Sequence, residues 1–298
     1  MKNALTNHVI LSIDELDTGL FNNTYKVRTT TNIYVLKIAP HKQSEVFFPE
    51  RNLMLREQGL ITILQNASNL IPRYCTFFKV GGRHAFLQEY VSGKLWFEHF
   101  KNLSDNQNQR IWYQLGKASK DLHKVSGLEF GYPAPNKTFK KWSLFIEDMI
   151  LGLIQDAINN RLDIRSMGYF KDLVIHFSKN LDKHRIPKLC HGDLWSRNII
   201  VDGEGDNINI KALIDWERAY WGDPLSEWVF VLSDIPDEFW HGYGHNLLKQ
   251  ADPICIAIYQ GMYFMLNILE ATRIGASSDI AQDHLNGVVE YLSTQSKK

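Results

Sequence analysis

Two short apolar runs with a turn between them constrain the fold of this chain more than any other stretch. Residues 199–201 and 208–214 are rich in isoleucine, and the segment between them consists mostly of Gly, Asp and Asn. This pattern predicts a β-hairpin. Polar side chains that can bind a metal ion stand at both of its ends: Asp193 and Asn198 before it, and Asp215 after it. We expect the hairpin to bring these three side chains together.

The spacing of these three side chains is typical of the catalytic loop of protein kinases. In that loop an Asp accepts the proton of the substrate hydroxyl, an Asn binds magnesium, and a second Asp downstream binds the metal as well. Magnesium takes oxygen ligands, usually one or two carboxylates together with phosphate oxygens. The spacing therefore predicts Asp193 as the catalytic base and Asn198 and Asp215 as Mg²⁺ ligands. Asp and Asn are also common turn formers, so the spacing by itself leaves a purely structural role open.

A longer set of motifs surrounds these residues. His-Gly-Asp-Leu-Trp-Ser at 191–196 is followed by Ile-Asp-Trp-Glu at 214–217 and Gly-Asp-Pro at 222–224. The combination resembles the aminoglycoside phosphotransferase family and its small-molecule kinase relatives, which have a protein-kinase-like fold. The resemblance implies an α+β protein with two lobes: a small β-rich nucleotide-binding lobe, residues 1–91, and a larger helical lobe, residues 92–298, for catalysis and acceptor binding. It also implies ATP or GTP as the phosphoryl donor, with Mg²⁺.

The first lobe is predicted to contain the groups that bind phosphates. Residues 25–28 and 33–38 read as two strands. The loop before them could cover phosphates with backbone N–H groups. Its one glycine, Gly19, matches neither a Walker A sequence nor the Gly-rich loop of protein kinases.

Lys37 stands inside the second of these strands, where a lysine usually extends its charged end to the surface. The resemblance implies another role, in which this lysine binds the α- and β-phosphates and pairs with a Glu on the next helix. A helix-compatible run follows at residues 49–57. We predict Glu50 as the partner of Lys37, with Glu57 as the alternative.

A second hairpin is predicted from residues 74–80 and 85–91, which flank a Gly-Gly turn. A Ser-Gly-Lys triplet at 92–94 then interrupts the strand pattern. The placement resembles the hinge of a kinase, which binds the edge of the adenine ring through backbone groups. The resemblance implies that role for the backbone N–H and C=O groups from Glu89 to Val91.

Beyond the hinge the chain reads as helical. Apolar residues at helical spacing predict an amphipathic helix near residues 111–125 and a longer helix over residues 139–158. The run 253–269 is strongly apolar, but Gln260 and Asn267 interrupt it, which favours a buried helix over a membrane span.

Composition bounds the partners. The 33 acidic and 33 basic residues balance, which argues against a general nucleic-acid binder. From Asp215 onward there are 12 acidic and 5 basic residues, which suits a cationic acceptor, although solvated helix faces would explain the excess equally well. Three separated cysteines and an N-terminus without a signal-peptide pattern predict a reduced, cytoplasmic setting. We expect no membrane and no obligate protein partner.

The acidic excess after residue 215 also gives candidates for binding an acceptor amine. They are Asp234, Asp237, Glu238 and Glu270.

Several questions stay open at this level. An aminoglycoside is the first expectation for the acceptor, but the same motifs serve kinases of choline, fructosamine-type amines, methylthioribose and homoserine. A nucleotide-binding module without catalysis is the alternative from another class of protein. His191 is predicted to hydrogen-bond the backbone near Asp215, and Gly192 replaces the Arg that would bind an activation-loop phosphate. Arg197 either contacts phosphates or faces solvent.

Overall fold

The first part of the chain is built around a β-sheet. The computed structural model describes residues 9–16, 22–41, 46–227, 230, 232 and 234–297. Within these residues an antiparallel sheet has five strands in the order β1-β2-β3-β5-β4. The predicted loop at Gly19 lies outside the described residues. The strands are β1 (Ile10–Glu15), β2 (Asn23–Thr29), β3 (Ile33–Ile38), β4 (Tyr74–Val80) and β5 (Arg83–Glu89).

Strand β3 shows how the sequence directs one charged side chain toward the rest of the protein. Tyr34, Leu36 and Ile38 are buried in a cluster with residues of β2 and β5. Because side chains alternate between the two faces of a strand, Lys37 lies on the opposite face. It pairs in register with Phe86 of β5, a residue of a different hydrophobic cluster. The apolar alternation of β3 therefore fixes the direction of Lys37.

The helix after β3 begins later than the sequence indicated. A 3₁₀ turn covers Phe48–Glu50, and α1 runs over Leu53–Ala67. The inner face of α1, including Leu60 and Leu64, packs in one cluster with Trp96 and with residues of the hairpin predicted at 199–214, which we call the catalytic hairpin. The β-rich and helical parts thus share a hydrophobic core. The lobe boundary at residue 91 stays a prediction.

The second part of the chain is mainly helical, as the sequence predicted. The capping box of α3 is formed by Ser104, whose Oγ accepts from Gln107 N while its own N–H donates to Gln107 Oε1. The helices are α2 (Trp96–His99), α3 (Asp105–Lys124), α4 (Trp142–Asn159), α5 (Arg165–His176), α6 (Ser178–Leu181), α7 (Asp237–Tyr243), α8 (Pro253–Arg273) and α9 (Asp279–Gln295).

Helix α8 is long and apolar enough to cross a membrane by length and composition alone. Most of its apolar window is buried in the protein, against α4, α5 and α9. Trp142 of α4 donates a hydrogen bond from Nε1 to the hydroxyl of Tyr259 at 2.8 Å. These contacts are those of a core helix, as the interrupting polar residues predicted.

The predicted catalytic hairpin is present. Strands β10 (Ile199–Asp202) and β11 (Asn209–Leu213) pair antiparallel, with Ile199 opposite Leu213. Strand β6 (Lys94–Leu95) joins them on the other side of β10. A second small sheet contains β7 (Phe130–Gly131), β8 (Thr138–Phe139), β9 (Lys188–Cys190) and β12 (Tyr220–Gly222).

Candidate active site

The sheet and the catalytic hairpin meet at Lys37. Its Nζ donates a short hydrogen bond to Asp215 Oδ1 and lies 2.9 Å from Glu217 Oε2 and 4.0 Å from Glu57 Oε2. The lysine is buried, and three carboxyl groups surround its one ammonium. Burial opposes the charged form of Lys37, but these carboxylates raise its pKa well above the ordinary value. The site therefore keeps a permanent positive charge beside Asp215.

The prediction that Glu50 pairs with Lys37 is wrong. Glu50 lies in the 3₁₀ turn before α1, so it does not share the helix face that looks toward β3. Its carboxylate binds Arg273 at 2.8 Å and 3.1 Å and lies 3.7 Å from Arg218. The alternative, Glu57, is on α1 and accepts a short hydrogen bond from the Tyr74 hydroxyl.

Asp215 is held in place by the residue that follows it. It adopts a left-handed conformation, with φ at 68°, at the end of β11. Aspartate tolerates this conformation better than most residues do. Trp216 is fully buried, donates from Nε1 to the Leu213 carbonyl at 2.9 Å and packs on the ring of His191. The anchored indole thus fixes the backbone from which the Asp215 carboxylate reaches Lys37.

Asp193 and Asn198 are joined directly. The amide nitrogen of Asn198 donates to Asp193 Oδ2 at 2.8 Å and to the Asp193 carbonyl at 2.7 Å. The backbone carbonyl of Asn198 accepts from Ile214 N at 2.9 Å, which places it beside the end of β11. The structure thus brings Asp193, Asn198 and Asp215 to one end of the hairpin, as the sequence predicted.

His191 connects the two sides of this site. Its Nδ1 accepts from Asp193 N at 3.3 Å, and its Nε2 lies 3.1 Å from the Ile214 carbonyl. An accepting Nδ1 leaves the proton on Nε2, so the ring is neutral and donates to that carbonyl. Burial lowers the pKa of His191, which agrees with a neutral ring. The expected hydrogen bond to the backbone near Asp215 is confirmed.

The loop at residues 191–198, the predicted catalytic loop, is anchored by Glu227, a residue that the sequence analysis did not single out. The fully buried carboxylate accepts from His191 N at 2.5 Å and from Gly192 N at 3.0 Å. Gly192 has φ at 77°, and a Cβ there would lie 2.2 Å from the Arg218 carbonyl oxygen. Only glycine fits this position, so the loop needs both the glycine and the carboxylate beneath it.

Replacing Glu227 by alanine is expected to destabilise the protein by about 2–5 kcal/mol, because two buried N–H donors lose their acceptor. Urea denaturation of wild type, Glu227→Ala and Glu227→Gln measures this. The glutamine variant keeps one acceptor oxygen and should lose less stability. An alanine variant as stable as wild type would show that the loop does not depend on this carboxylate.

The two aspartates differ in electrostatic environment. Burial raises the pKa of Asp193, and the positive charge of Arg218 partly offsets that rise. Burial also favours the neutral form of Asp215, but the ion pair and hydrogen bond with Lys37 outweigh it and lower the pKa of Asp215. Asp215 therefore stays ionised more readily, and Asp193 is the carboxylate with the higher affinity for a proton.

Glu57 gives the stability of the protein a pH dependence that can be measured. Burial, partly offset by Lys37, raises the pKa of Glu57 from 4.5 to about 7. The folded state therefore binds a proton that the unfolded state has already released, and the free energy of unfolding falls as pH rises from about 4.5 to about 7.

Glu57→Gln removes this titration. The free energy of unfolding of the variant should rise relative to wild type by roughly 3 kcal/mol between pH 4.5 and pH 8. Denaturant unfolding at several pH values checks this, with the exposed Glu290→Gln as the control for loss of a carboxylate as such. A constant difference between Glu57→Gln and wild type over this range would contradict the assignment.

The donor set fits a magnesium ion. Asn198 uses its amide nitrogen on Asp193, which leaves its side-chain oxygen as the atom for a cation. Asp215 supplies a carboxylate with a lowered pKa. Hard oxygen ligands of this kind suit Mg²⁺.

The two predicted hinge residues, Glu89 and Val91, differ in whether their backbone groups are free to bind a ligand, and adenine binding itself stays a prediction. Among the described residues, neither backbone polar group of Val91 has a hydrogen bond, so both are available to a ligand. In contrast, Glu89 N donates to the Arg73 carbonyl at 2.9 Å, and Tyr90 N donates to the Ile33 carbonyl at 3.1 Å. These two N–H groups belong to the sheet and cannot bind adenine as the sequence analysis expected.

The four acidic candidates for amine binding are separated. Glu270 lies 3.6 Å from Arg218 Nη2, and Arg218 in turn affects the pKa of Asp193. Asp237 and Glu238 form the first turn of α7, which packs on α3, and Asp234 is exposed just before that helix. Of this set, Glu270 is the residue that lies beside Arg218, whose charge also acts on Asp193.

Two further polar residues were missed. Glu217 binds Lys37 and accepts from Asn22 Nδ2 at 2.6 Å, so it links the start of β2 to the catalytic hairpin. The Trp-Glu pair after Asp215 was noted as a motif, and a second carboxylate two residues beyond the predicted metal ligand Asp215 was the signal available. Nothing in the sequence distinguished Asn22 from other loop residues.

Comparison with known proteins identifies the family. The model of the phosphotransferase enzyme family matches residues 12–264. The chain belongs to this family. The phosphotransferase is 26% identical over 254 residues to a probable ketoamine kinase of Synechocystis, covering 79% of this chain and 75% of that protein. It is 27% identical over 188 residues to the probable ketoamine kinase YniA of Escherichia coli, covering 58% and 62% of the two chains.

Solved structures show the fold. A Haemophilus somnus protein assigned as a fructosamine-3-kinase superposes with a TM-score of 0.68 and 16% identity, covering 96% of each chain. A thermostable mutant of aminoglycoside phosphotransferase APH(4)-Ia, in complex with ADP and hygromycin B, superposes with a TM-score of 0.70 and 15% identity, covering 97% of this chain and 96% of that one. The expected protein-kinase-like α+β fold is confirmed. This phosphotransferase is a small-molecule kinase.

Proposed function

We propose that the protein transfers the γ-phosphoryl group of ATP to a hydroxyl of a small ketoamine, a sugar derivative that carries an amine. The observation that carries this proposal is the convergence of Lys37, Asp193, Asn198 and Asp215 at one end of the catalytic hairpin. Curated relatives named as probable ketoamine kinases support the acceptor class.

In this proposal separate groups bind the adenine ring and the phosphates of the nucleotide. The free backbone groups of Val91 receive the adenine edge, and the Glu89 carbonyl is the other backbone candidate. Lys37 contacts the phosphates, and its carboxylate neighbours keep it charged. Asn198 and Asp215 hold Mg²⁺. When bound, this ion neutralises negative charge on the phosphate oxygens.

Asp193 acts on the acceptor. The acceptor hydroxyl oxygen forms a bond to the γ-phosphorus, and the bond between that phosphorus and the bridging oxygen of ADP breaks. The proton of the hydroxyl passes to the Asp193 carboxylate, whose raised pKa suits a proton acceptor. Asn198 and the backbone contact with His191 orient the carboxylate for this step.

Glu270 is the candidate for the acceptor amine. It is partly buried beside Arg218, and burial raises its pKa while the charge of Arg218 opposes that rise. A cationic amine beside Glu270 would form a second favourable charge interaction with its carboxylate, in addition to that with Arg218. A cytoplasmic setting supplies ATP and Mg²⁺ and suits the free thiols of Cys75, Cys190 and Cys255.

An aminoglycoside, the first expectation from the sequence, remains the second candidate. The resemblance in fold to a phosphotransferase with bound hygromycin B favours it. A panel assay separates the two: coupled ADP release with ketoamines, aminoglycosides, choline and other sugar amines. We expect saturable turnover with ketoamines. Saturable turnover with aminoglycosides alone would make an aminoglycoside the acceptor. If none of the compounds in the panel stimulates ADP release, the proposal is contradicted.

A further inference from the structure

Arg197 occupies an unusual place in the catalytic loop. It lies four residues after Asp193 and directly before Asn198, in the 3₁₀ turn Ser196–Asn198. We propose that Arg197 forms an anion-binding subsite at the mouth of the active site and binds a carboxylate of the acceptor. This inference rests on the proposed function, because it adds a charge requirement to the same acceptor.

The side chain of Arg197 is exposed yet held in one orientation. Its guanidinium lies 3.8 Å from the centroid of the Phe97 ring and 5.5 Å from that of the Trp195 ring. Among the described residues it has neither an ion pair nor a hydrogen bond. Stacking on an aromatic ring leaves the N–H groups at the edge of the guanidinium plane available. Arg197 is thus an oriented positive charge that has no counterion among the residues that the structure describes.

The residues around Arg197 place its charge next to the segment that follows the predicted hinge. Phe97 belongs to α2, which follows the hinge and β6 directly, and the turn Ser196–Asn198 packs against both of them. Arg197 therefore lies where the hinge segment meets the catalytic loop. In the proposal, an acceptor whose hydroxyl binds at Asp193 extends its other groups toward Arg197, four residues further along the same loop.

The chemistry of the group selects the ligand. A guanidinium fork binds carboxylate and phosphate oxygens through two parallel hydrogen bonds. A ketoamine formed from an amino acid carries a carboxylate, which Arg197 would bind while a hydroxyl of the sugar reaches Asp193. A polycationic acceptor would be repelled at Arg197. We therefore assign the acceptor class as a ketoamine with an anionic group.

A matched pair of ligands tests this. The ketoamine of a hexose with glycine and its glycinamide counterpart differ only in the carboxylate. Their binding to wild type, Arg197→Gln and Arg197→Lys is measured by calorimetry with Mg²⁺ and a non-hydrolysable ATP analogue present. Arg185→Gln, which removes another exposed arginine, is the matched control. Phosphate transfer to the same ligands is measured separately.

Wild type is expected to bind the carboxylate form about tenfold more tightly than the amide. Arg197→Gln should bind both forms with the affinity of the amide, Arg197→Lys should lie between, and Arg185→Gln should keep the wild-type ratio. Equal or absent binding of both forms by wild type would overturn the inference. A preference that survives in Arg197→Gln would also overturn it. The ATP analogue is titrated separately without acceptor, and a loss of its affinity in Arg197→Gln would assign Arg197 to the phosphates and overturn the inference as well. Binding with this preference but without phosphate transfer would instead contradict the proposed function.

Discussion

Asp193→Ala is expected to lower kcat for phosphate transfer by about a thousandfold, because the acceptor hydroxyl loses its proton acceptor and its orientation. The variant should keep its thermal stabilisation by Mg²⁺ and ATP, since Lys37, Asp215 and the hinge are unchanged. Steady-state kinetics and thermal unfolding with and without the nucleotide measure the two effects. Loss of kcat with retained nucleotide binding is the pattern of a missing base.

Two controls sharpen this experiment. Asp193→Asn keeps an oxygen for the hydrogen bond from Asn198 but cannot accept a proton, so it should be nearly as inactive as the alanine variant. Asp202→Ala removes an exposed carboxylate from the same hairpin and should behave as wild type. Turnover of Asp193→Asn at the wild-type rate would show that Asp193 is not the base.

Asp215→Asn is expected to produce the second large effect, with the opposite pattern. Removing this charge takes away a proposed Mg²⁺ ligand, and the stabilisation by Mg²⁺ and ATP should disappear together with activity. At a nucleotide concentration about a hundred times the wild-type Kd, that loss corresponds to about 2.7 kcal/mol. Asparagine is the suitable replacement, because it tolerates the left-handed conformation at this position and alanine does not.

The fold of Asp215→Asn should survive, since Lys37 keeps Glu217 and Glu57 as partners. Far-ultraviolet circular dichroism and urea unfolding without nucleotide verify this. A variant that folds and is still stabilised by Mg²⁺ and ATP to the wild-type extent would remove Asp215 from the metal site. The contrast between Asp193→Ala and Asp215→Asn separates the roles of the two aspartates.

Local sequence patterns predicted the centre of this site well. The apolar runs of β10 and β11 and the turn between them required a hairpin, and a hairpin necessarily brings Asn198 near Asp215. The role of Lys37 came from the family resemblance, and the structure adds that alternation in β3 puts it on the face opposite Tyr34, Leu36 and Ile38. These features depend on residues close in sequence, where periodicity carries the information.

The errors arose where contacts between distant segments decide the outcome. Glu50 precedes α1 because Phe48–Glu50 forms a separate turn, and its partner Arg273 is 223 residues away. Glu227 reaches the catalytic loop across 36 residues, from a segment with no pattern of its own. The hinge N–H group of Glu89 is bound by Arg73 of the segment before β4, a contact that no local signal indicated.

The most direct test of the whole account is transfer itself. Wild-type protein is incubated with Mg²⁺, ATP and the glycine-derived ketoamine, and the products are examined by mass spectrometry and phosphorus NMR. The account predicts ADP and a ketoamine that carries one phosphoryl group on a hydroxyl oxygen, with no product from Asp193→Ala in the same time. Phosphate on nitrogen, or release of inorganic phosphate alone, would contradict it.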